Sequence, residues 1–276
     1  MLKIGEALPN IFKRTYPVLE PGTEMLLAVS LLRFHQIDAL PIGFHPKEKE
    51  RLAVFGYSCL SKLLEMDPTN YGNFLQMPCE EAAMKLSTIG IDDTVESLLR
   101  VFESTKFGFA WVESDRLGGF ASLRDLLDLY GSGVIETGMT AGEVASPIFS
   151  LPRESTIRKV LEEMFNHRFR RVFVAGEEEE EKKKMSLVTD RRIISYIFST
   201  SRLSETTKKP EKLLDAKLGD LEKMEALTVS EEVSIKDAAL SMRDASEDCL
   251  VCEKGVITPW DLLMKPLVRG KFKIAN

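Results

Sequence analysis

The sequence is poor in the residues and runs that define several protein classes. It has only four cysteines and three histidines in 276 residues, so neither a disulfide framework nor a structural metal site is expected. No stretch approaches the roughly 18 to 20 apolar residues that cross a bilayer, and the first residues lack the apolar core of a signal peptide. The net charge of −6 argues against a protein that coats nucleic acid non-specifically. We therefore expect a cytoplasmic globular protein with no membrane association.

Catalytic motifs are also missing from the sequence. There is no P-loop, no His-Glu metal motif and no nucleophile elbow, so we expect a protein that is not an enzyme and has no catalytic or metal-binding residues. Cys249 and Cys252 have C-x-x-C spacing, but they lie in an apolar run typical of a strand. Alternation along that strand points them to opposite faces, which favours two buried thiols over a redox or zinc pair.

The most informative stretch is GVITPWDLL, residues 255–263. A β-branched run reaches Thr258 and then turns into a helix with Asp261 three residues later. Backbone N–H groups at a helix start favour phosphate, and a carboxylate there can accept hydrogen bonds from the vicinal hydroxyls of a ribose. Many strand-to-helix turns, however, use threonine only as an N-cap, so the motif alone is compatible with a capping role.

This motif recurs three more times along the chain. Residues 119–127 (GFASLRDLL) repeat it closely, and residues 186–194 and 56–64 repeat it more loosely. The residues at the hydroxyl position are Cys59, Ser122, Thr189 and Thr258, which are 63, 67 and 69 residues apart. A repeat of this length is a whole small domain, since solenoid units are shorter.

The segment before each motif also recurs. It contains a short strand, a hydroxyl cap, an amphipathic helix and an apolar strand, so the unit reads strand, helix, strand, hairpin, strand, helix. The predicted caps are Thr23, Thr94, Thr156 and Ser234. In the first helix we expect Leu27, Ala28 and Leu31 to face the core. The predicted repeats are residues 1–66, 74–130, 139–199 and 213–270, with a flexible glycine-containing joint at 131–138 and a solvated charged hairpin tip at 177–184.

Four such copies resemble cystathionine β-synthase (CBS) domains, and the resemblance covers nearly the whole chain. It implies an α/β (α+β) fold of four β-α-β-β-α repeats in two CBS pairs, repeat one with two and repeat three with four. CBS pairs typically bind AMP, ADP or ATP, or sometimes S-adenosylmethionine, between the two repeats, and they usually act as regulatory sensors.

The resemblance transfers unevenly to individual residues. Repeats two and four have both the hydroxyl and the carboxylate, Ser122 with Asp125 and Thr258 with Asp261. Repeat three keeps Thr189 but has Arg192 at the carboxylate position, where a phosphate could bind. The resemblance implies that the partner repeat supplies the other wall of each site: Phe149, Phe169, Arg170 and Arg171 for the Asp261 site, and Tyr16, Ile37 and Asp38 for the Asp125 site. Arg170 would meet phosphates and Asp38 would repel them.

Two functions fit these features. The first is a non-catalytic, energy-sensing regulator that binds an adenine nucleotide and controls a separate partner, with association of two molecules through their CBS faces as a further expectation. The alternative is an adaptor that docks on a large assembly such as a ribosomal subunit, with the nucleotide structural or absent. The basic residues on which the alternative depends are Arg168, Arg170, Arg171, the lysines at 182–184, Arg191, Arg192, Lys265, Arg269, Lys271 and Lys273.

Overall fold

The computed structural model describes residues 2–13, 17–35, 37–43, 51–114, 117–175, 185–199, 202, 208–245 and 249–274. Helices and strands are mixed along the chain, and the predicted α+β class is confirmed. The helices are α1 (Ile4–Ala7), α2 (Met25–His35), α3 (Gly56–Glu65), α4 (Tyr71–Phe74), α5 (Val95–Thr105), α6 (Leu123–Gly131), α7 (Ala141–Val144), α8 (Ile157–His167), α9 (Asp190–Ile197), α10 (Ile235–Asp244) and α11 (Pro259–Val268).

The strands are short and follow the predicted repeat. They are β1 (Ala39–Pro41), β2 (Arg51–Phe55), β3 (Met84–Leu86), β4 (Thr88–Gly90), β5 (Phe109–Glu113), β6 (Gly118–Ser122), β7 (Ile135–Glu136), β8 (Ser150–Pro152), β9 (Arg171–Ala175), β10 (Ser186–Thr189), β11 (Met224–Glu225), β12 (Leu227–Thr228), β13 (Leu250–Cys252), β14 (Gly255–Ile257) and β15 (Lys273–Ile274).

The described chain forms two compact units. The first unit comprises residues 1–15, 87–148 and 226–276, and therefore contains repeats two and four. The second unit comprises residues 16–86 and 149–225, and contains repeats one and three. The pairing of repeat one with two and of three with four concerns sheets that belong to different units, and it stays a prediction.

In the first unit, two three-stranded sheets of matching topology carry the repeats. Strands β4, β5 and β6 form one, and β12, β13 and β14 form the other; in both, the first strand is parallel and the last antiparallel to the middle one. Helix α6 packs against α10 and α11. The buried Tyr130 hydroxyl donates to the carbonyl of Leu262 at 2.6 Å, which joins the two repeats through their helices.

In the second unit, β1, β2 and β3 form one sheet and β8, β9, β10 and β11 form the other. Helix α3 packs against α8 and α9, and α2 packs against α9. Val172 and Val174 of β9 face the core of this unit together with Val188 of β10. Since side chains alternate along a strand, Arg171 and Phe173 point to the opposite face of the sheet.

A leading segment precedes each repeat, and it packs against a different repeat from the one that follows it in the sequence. The backbone of Ile4 bonds to Asp93 of repeat two, whereas that of Cys79 bonds back to Thr23 of repeat one. The same exchange occurs later: the backbone of Ala141 bonds to Val233 of repeat four, and that of residue 218 bonds to residue 155 of repeat three. The leading segments of repeats one and two, and of three and four, are thus exchanged, and the predicted repeat boundaries stay a prediction.

Repeat one differs from its predicted alignment by four residues. Strand β2 continues to Phe55, which pairs with Ala39, and α3 therefore begins at Gly56. Phe55 takes the position of the hydroxyl residue, and the Ser58 hydroxyl accepts its backbone N–H at 3.0 Å. The spacing from Phe55 to Ser122 is then 67 residues, the same as from Ser122 to Thr189. Cys59 is a fully buried residue inside the helix.

The predicted flexible joint at 131–138 is a structured turn. Helix α6 ends at Gly131, the backbone N–H of Val134 donates to Leu129, and Gly133 takes a left-handed conformation with φ of 74°. Ile135, in β7, is buried and pairs with Ile274 in β15. The charged hairpin tip at 177–184 lies outside the described residues.

The described residues were expected to contain neither a membrane-spanning helix nor a metal site, and Cys249 and Cys252 were expected to be buried thiols. No helix in the described part has both the length and the apolar character needed to cross a bilayer. The described residues contain no cluster of three or more side chains suited to holding a metal ion. Cys249 and Cys252 are both buried thiols, as favoured from the sequence.

Candidate ligand-binding site

The predicted strand-to-helix turns form in three of the four repeats. The hydroxyls of Ser122, Thr189 and Thr258 are the N-caps of α6, α9 and α11, and each accepts a backbone N–H three residues later. The carboxylates of Asp125 and Asp261 in turn accept the backbone N–H of the N-cap residue, at 2.8 and 2.9 Å, and so complete a capping box. In repeats two and four, both polar residues of the predicted motif therefore take part in starting a helix.

The Asp261 carboxylate, which is 3 % exposed, has a full set of donors within its own unit. One oxygen accepts the backbone N–H of Thr258 at 2.9 Å and its hydroxyl at 2.7 Å. The other accepts the Ser146 hydroxyl at 2.7 Å and lies 3.0 Å from the ammonium of Lys265. Since a carboxylate has about four acceptor positions, a ribose could bind Asp261 only by displacing Ser146 or Lys265.

The surroundings of Asp125 are different. Its carboxylate accepts the backbone N–H and the hydroxyl of Ser122 at 2.8 and 2.7 Å. Beside it lies a cavity of about 120 Å³, lined also by Asp128 and by residues 7–11 of the leading segment. Ligand pockets usually measure roughly 300 Å³ or more, so this cavity alone is too small for a nucleotide.

Arg171 is the predicted site residue with unsatisfied hydrogen-bonding groups. Its Nε and Nη1 are buried, and neither has a hydrogen-bond partner among the described residues. Arg171 pairs in register with Thr189 across β9 and β10, so both side chains project from the same face of the sheet. Buried N–H groups of a charged side chain are rarely left unpaired, because each one costs roughly 1–3 kcal/mol or more.

Arg170, the neighbouring residue, is fully engaged in ion pairs instead. Its guanidinium donates to Asp190 at 2.7 Å and to Asp38 at 2.6 Å, and Arg191 also donates to Asp38 at 3.0 Å. Burial raises the pKa of Asp38, but the charges and hydrogen bonds of Arg170 and Arg191 outweigh it and hold the pKa well below the usual carboxyl range. Asp38 is therefore neutralised by two cations, and Arg170 has the two carboxylates as partners rather than a free position for phosphate.

The other predicted residues of repeat three also have local partners. The guanidinium of Arg192 lies 2.5 Å from Glu222. Phe149 and Phe169 pack with a centroid distance of 4.7 Å, and the ring of His167 stacks on Phe169 at 5.7 Å. Phe149 and Phe169 therefore pack on each other, and their role as a wall of a purine site stays a prediction.

Two predicted residues of repeat one remain. Ile37 is half-buried against the core of the second unit, and its backbone N–H donates to Leu32. Tyr16 lies outside the described residues.

Sequence reasoning missed the partners of two buried carboxylates, Asp261 and Asp190. Lys265 follows Asp261 by four residues on a helix, a spacing that regularly forms an ion pair and could have been read from the sequence. Ser146 and Asp190 are different, because their contacts depend on tertiary structure: Ser146 reaches Asp261 across 115 residues. The position of Asp190 directly after Thr189 suggested no contact with Arg170.

Comparison with known protein families gives a match for repeat three. A model of the CBS domain family matches residues 141–199, which include α7, α8, α9, Arg171 and Thr189. The chain contains a CBS domain. The four-fold recurrence of the same strand and helix order in the structure is in accord with further CBS repeats on either side of it.

The fold of the whole chain is similar to that of a solved structure. Protein MJ1225 from Methanocaldococcus jannaschii, described as a proposed archaeal homologue of γ-AMPK, superposes with a TM-score of 0.79 over 94 % of this chain and 98 % of that one. The identity is 15 %, so the likeness concerns the fold. A comparison with curated proteins finds no match.

Two further structures are less similar. An uncharacterised conserved protein from Pyrococcus horikoshii has a TM-score of 0.49, 13 % identity, and coverage of 83 % of this chain and 90 % of that one. CBSX2 in complex with AMP has a TM-score of 0.34, 18 % identity, and coverage of 48 % and 99 %. Neither likeness is high enough to support an inference about this chain.

Proposed function

We propose that this CBS-domain protein is a non-catalytic regulatory sensor that binds an adenine nucleotide, AMP, ADP or ATP, and controls a separate protein partner. The observation that supports this most is Arg171, a half-buried side chain on the sheet face that also carries Thr189, whose buried Nε and Nη1 atoms have no hydrogen-bond partner among the described residues. A phosphate would supply the missing acceptors and the opposite charge together. The CBS family match, in the same stretch of chain, favours an adenosine ligand.

The same proposal assigns different roles to the other predicted residues. Arg171 and Thr189 bind the phosphate, while Phe149 and Phe169 are candidates for the purine. Within the first unit, a ligand hydroxyl could reach the Asp261 carboxylate only if Lys265 or Ser146 moved away, so binding there would be coupled to a local rearrangement. Such coupling is one way for a bound nucleotide to change the surface that a partner recognises.

The experiment is isothermal titration of purified, nucleotide-stripped protein with AMP, ADP, ATP, adenosine and S-adenosylmethionine. Saturable binding of at least one nucleotide is expected, and Arg171→Gln should weaken it by about 10- to 100-fold, the effect of losing a charge-assisted hydrogen bond. Arg100→Gln is the control, because Arg100 is 68 % exposed and pairs with Glu96 on the surface of α5. No binding of any nucleotide would overturn the proposal.

The alternative adaptor function gains no support from the described residues. Several of the basic side chains on which it depends are engaged: Arg170 and Arg191 with Asp38, Arg192 with Glu222, and Lys265 with Asp261. The lysines at 182–184 lie outside the described residues. Engaged cations have less free charge to offer to phosphates of RNA.

A further inference from the structure

Helix α2 has an outer face unlike those of its three counterparts. Helices α2, α5, α8 and α10 occupy the same place in the four repeats, and each buries an apolar stripe. On the outside of α2, however, Leu26 is 39 %, Leu27 52 % and Phe34 82 % exposed. The residues at the same three helical positions are polar in the other helices: Glu96, Ser97 and Ser104; Arg158, Lys159 and Asn166; and Lys236, Asp237 and Asp244.

These apolar residues form a continuous stripe. Leu27, the half-buried Leu31 and Phe34 follow one another at helical spacings of four and three residues. The buried contacts of α2 are made by Met25, Ala28, Val29 and Leu32, and of the outer stripe only Leu31 packs against this core, which leaves Leu27 and Phe34 exposed. A contiguous exposed apolar patch on a helix is typical of an interaction surface.

An acidic and a basic residue at the two ends of α2 indicate what covers this stripe. Glu24 lies just before the first helical residue and His35 is the last one, and both are exposed. Successive residues are about 100° apart around the axis of an α-helix. Measured around that axis from Leu27, Glu24 lies at about 60° and His35 at about 80° in the same direction, so both flank the stripe on one side. If two α2 helices pack antiparallel about a two-fold axis, the same side of each helix faces that side of its partner. The start of one helix then lies beside the end of the other, so Glu24 of each copy meets His35 of the other.

We infer that the outer face of α2, formed by Leu27, Leu31 and Phe34, is an interface between two copies of this chain. The helices pack antiparallel, the apolar stripes cover each other, and two Glu24–His35 contacts close the ends. A two-fold interface of this kind uses the same patch on both copies, which a patch with acid at one end and base at the other permits. Because only one helix per copy is involved, the buried area is small and the dimer is weak.

Sedimentation velocity of the full chain over a range from about 1 μM to about 1 mM tests the interface. We expect the sedimentation coefficient to rise with concentration from the monomer toward the dimer value. Phe34→Glu and Leu27→Glu should each raise the dimer dissociation constant by at least tenfold. Val268→Glu is the matched control, since Val268 is 67 % exposed on α11, outside the stripe, and it should behave as the wild type.

A charge exchange distinguishes a second copy from any other occupant. Alone, the Glu24→Lys and His35→Glu proteins should each dimerise more weakly than the wild type, because the end contacts lose attraction or become repulsive. Mixed together, they should form a heterodimer tighter than either homodimer, since the two substituted positions then face each other with opposite charges and the native Glu24 faces the native His35. A wild type that stays monomeric throughout, or a mixture no tighter than its components, overturns the inference and leaves the stripe to a partner of another kind.

Discussion

At the scale of single residues, two of the predicted site residues, one in each unit, differ in how their charges are satisfied. Asp261 has four donors within reach, so its burial is compensated inside the protein. Arg171 has two buried nitrogens, Nε and Nη1, without acceptors among the described residues. The sequence could place both residues at strand and helix ends, but it could not show which was satisfied, because Ser146 reaches Asp261 only through a tertiary contact.

This difference predicts an unusual result for Arg171→Met. Replacing this half-buried cation, whose buried Nε and Nη1 lack partners among the described residues, by an apolar side chain of similar length should raise the free energy of unfolding of the ligand-free protein by about 1–3 kcal/mol. Urea denaturation of nucleotide-stripped protein measures this value. Arg100→Met, at an exposed site, should change it by less than about 0.5 kcal/mol. A loss of stability on Arg171→Met would mean that the guanidinium is already compensated.

At the scale of elements, the sequence predicted the caps of three repeats: Thr94, Thr156 and Ser234 cap their helices. In the first helix, Ala28 is buried and Leu31 packs against the core as expected, whereas Leu27 is exposed.

Repeat one is different because α2 is apolar on two faces, so helical periodicity alone cannot decide which face is buried. Thr23 instead donates its hydroxyl to Glu20, and α2 begins at Met25. Leu27, expected in the core, lies outside. The strand-to-helix boundary at Phe55 was likewise missed, since it depends on the pairing of Phe55 with Ala39.

The ion pairs of Asp38, just before β1, with Arg170 and with Arg191 of α9 predict how the stability of the fold depends on pH. Asp38 has a pKa below the usual carboxyl value because Arg170 and Arg191 outweigh the effect of burial, so its ion pairs stabilise the fold above about pH 4, the ordinary carboxyl pKa. Asp38→Asn should lower the free energy of unfolding by about 1–3 kcal/mol at neutral pH. The difference from the wild type should shrink as pH falls below about 4, since Asp38 of the unfolded wild type then binds a proton while the folded, ion-paired carboxylate is still ionised.

The measurement is urea denaturation of both proteins at several pH values. Asp92→Asn is the control, since Asp92 is 84 % exposed and pairs with Lys3 at the surface; it should change stability by less than about 0.5 kcal/mol at neutral pH. A difference between Asp38→Asn and wild type that is independent of pH would contradict the assigned ion pairs.

At the scale of the whole molecule, the exchange of leading segments links repeats that are consecutive in sequence. Residues 2–13 precede repeat one but pack in the unit of repeats two and four, where Ile4 is fully buried. Residues 77–86 precede repeat two but pack with repeat one. The sequence could not show this exchange, because the periodicity of a segment shows that it is amphipathic but not which core it packs against.

The exchange predicts where Ile4→Ala acts. Truncating this buried side chain should cost about 2–5 kcal/mol, and the loss should fall on the first unit. Hydrogen exchange should quicken in α5 and β4, next to the N-terminal segment, while α2 and α3 keep their protection. Leu2→Ala, at a half-buried position, is the control and should have a smaller effect. Faster exchange confined to α2 and α3 would contradict the exchanged arrangement.

The most direct test of the central claim is a comparison of AMP with adenosine on wild-type and Arg171→Gln protein by titration calorimetry. If Arg171 binds the phosphate, the wild type should prefer AMP over adenosine by about 10- to 100-fold, and the substitution should remove most of that preference while leaving adenosine binding nearly unchanged. An equal preference for AMP in both proteins would show that the phosphate binds elsewhere and would contradict the account.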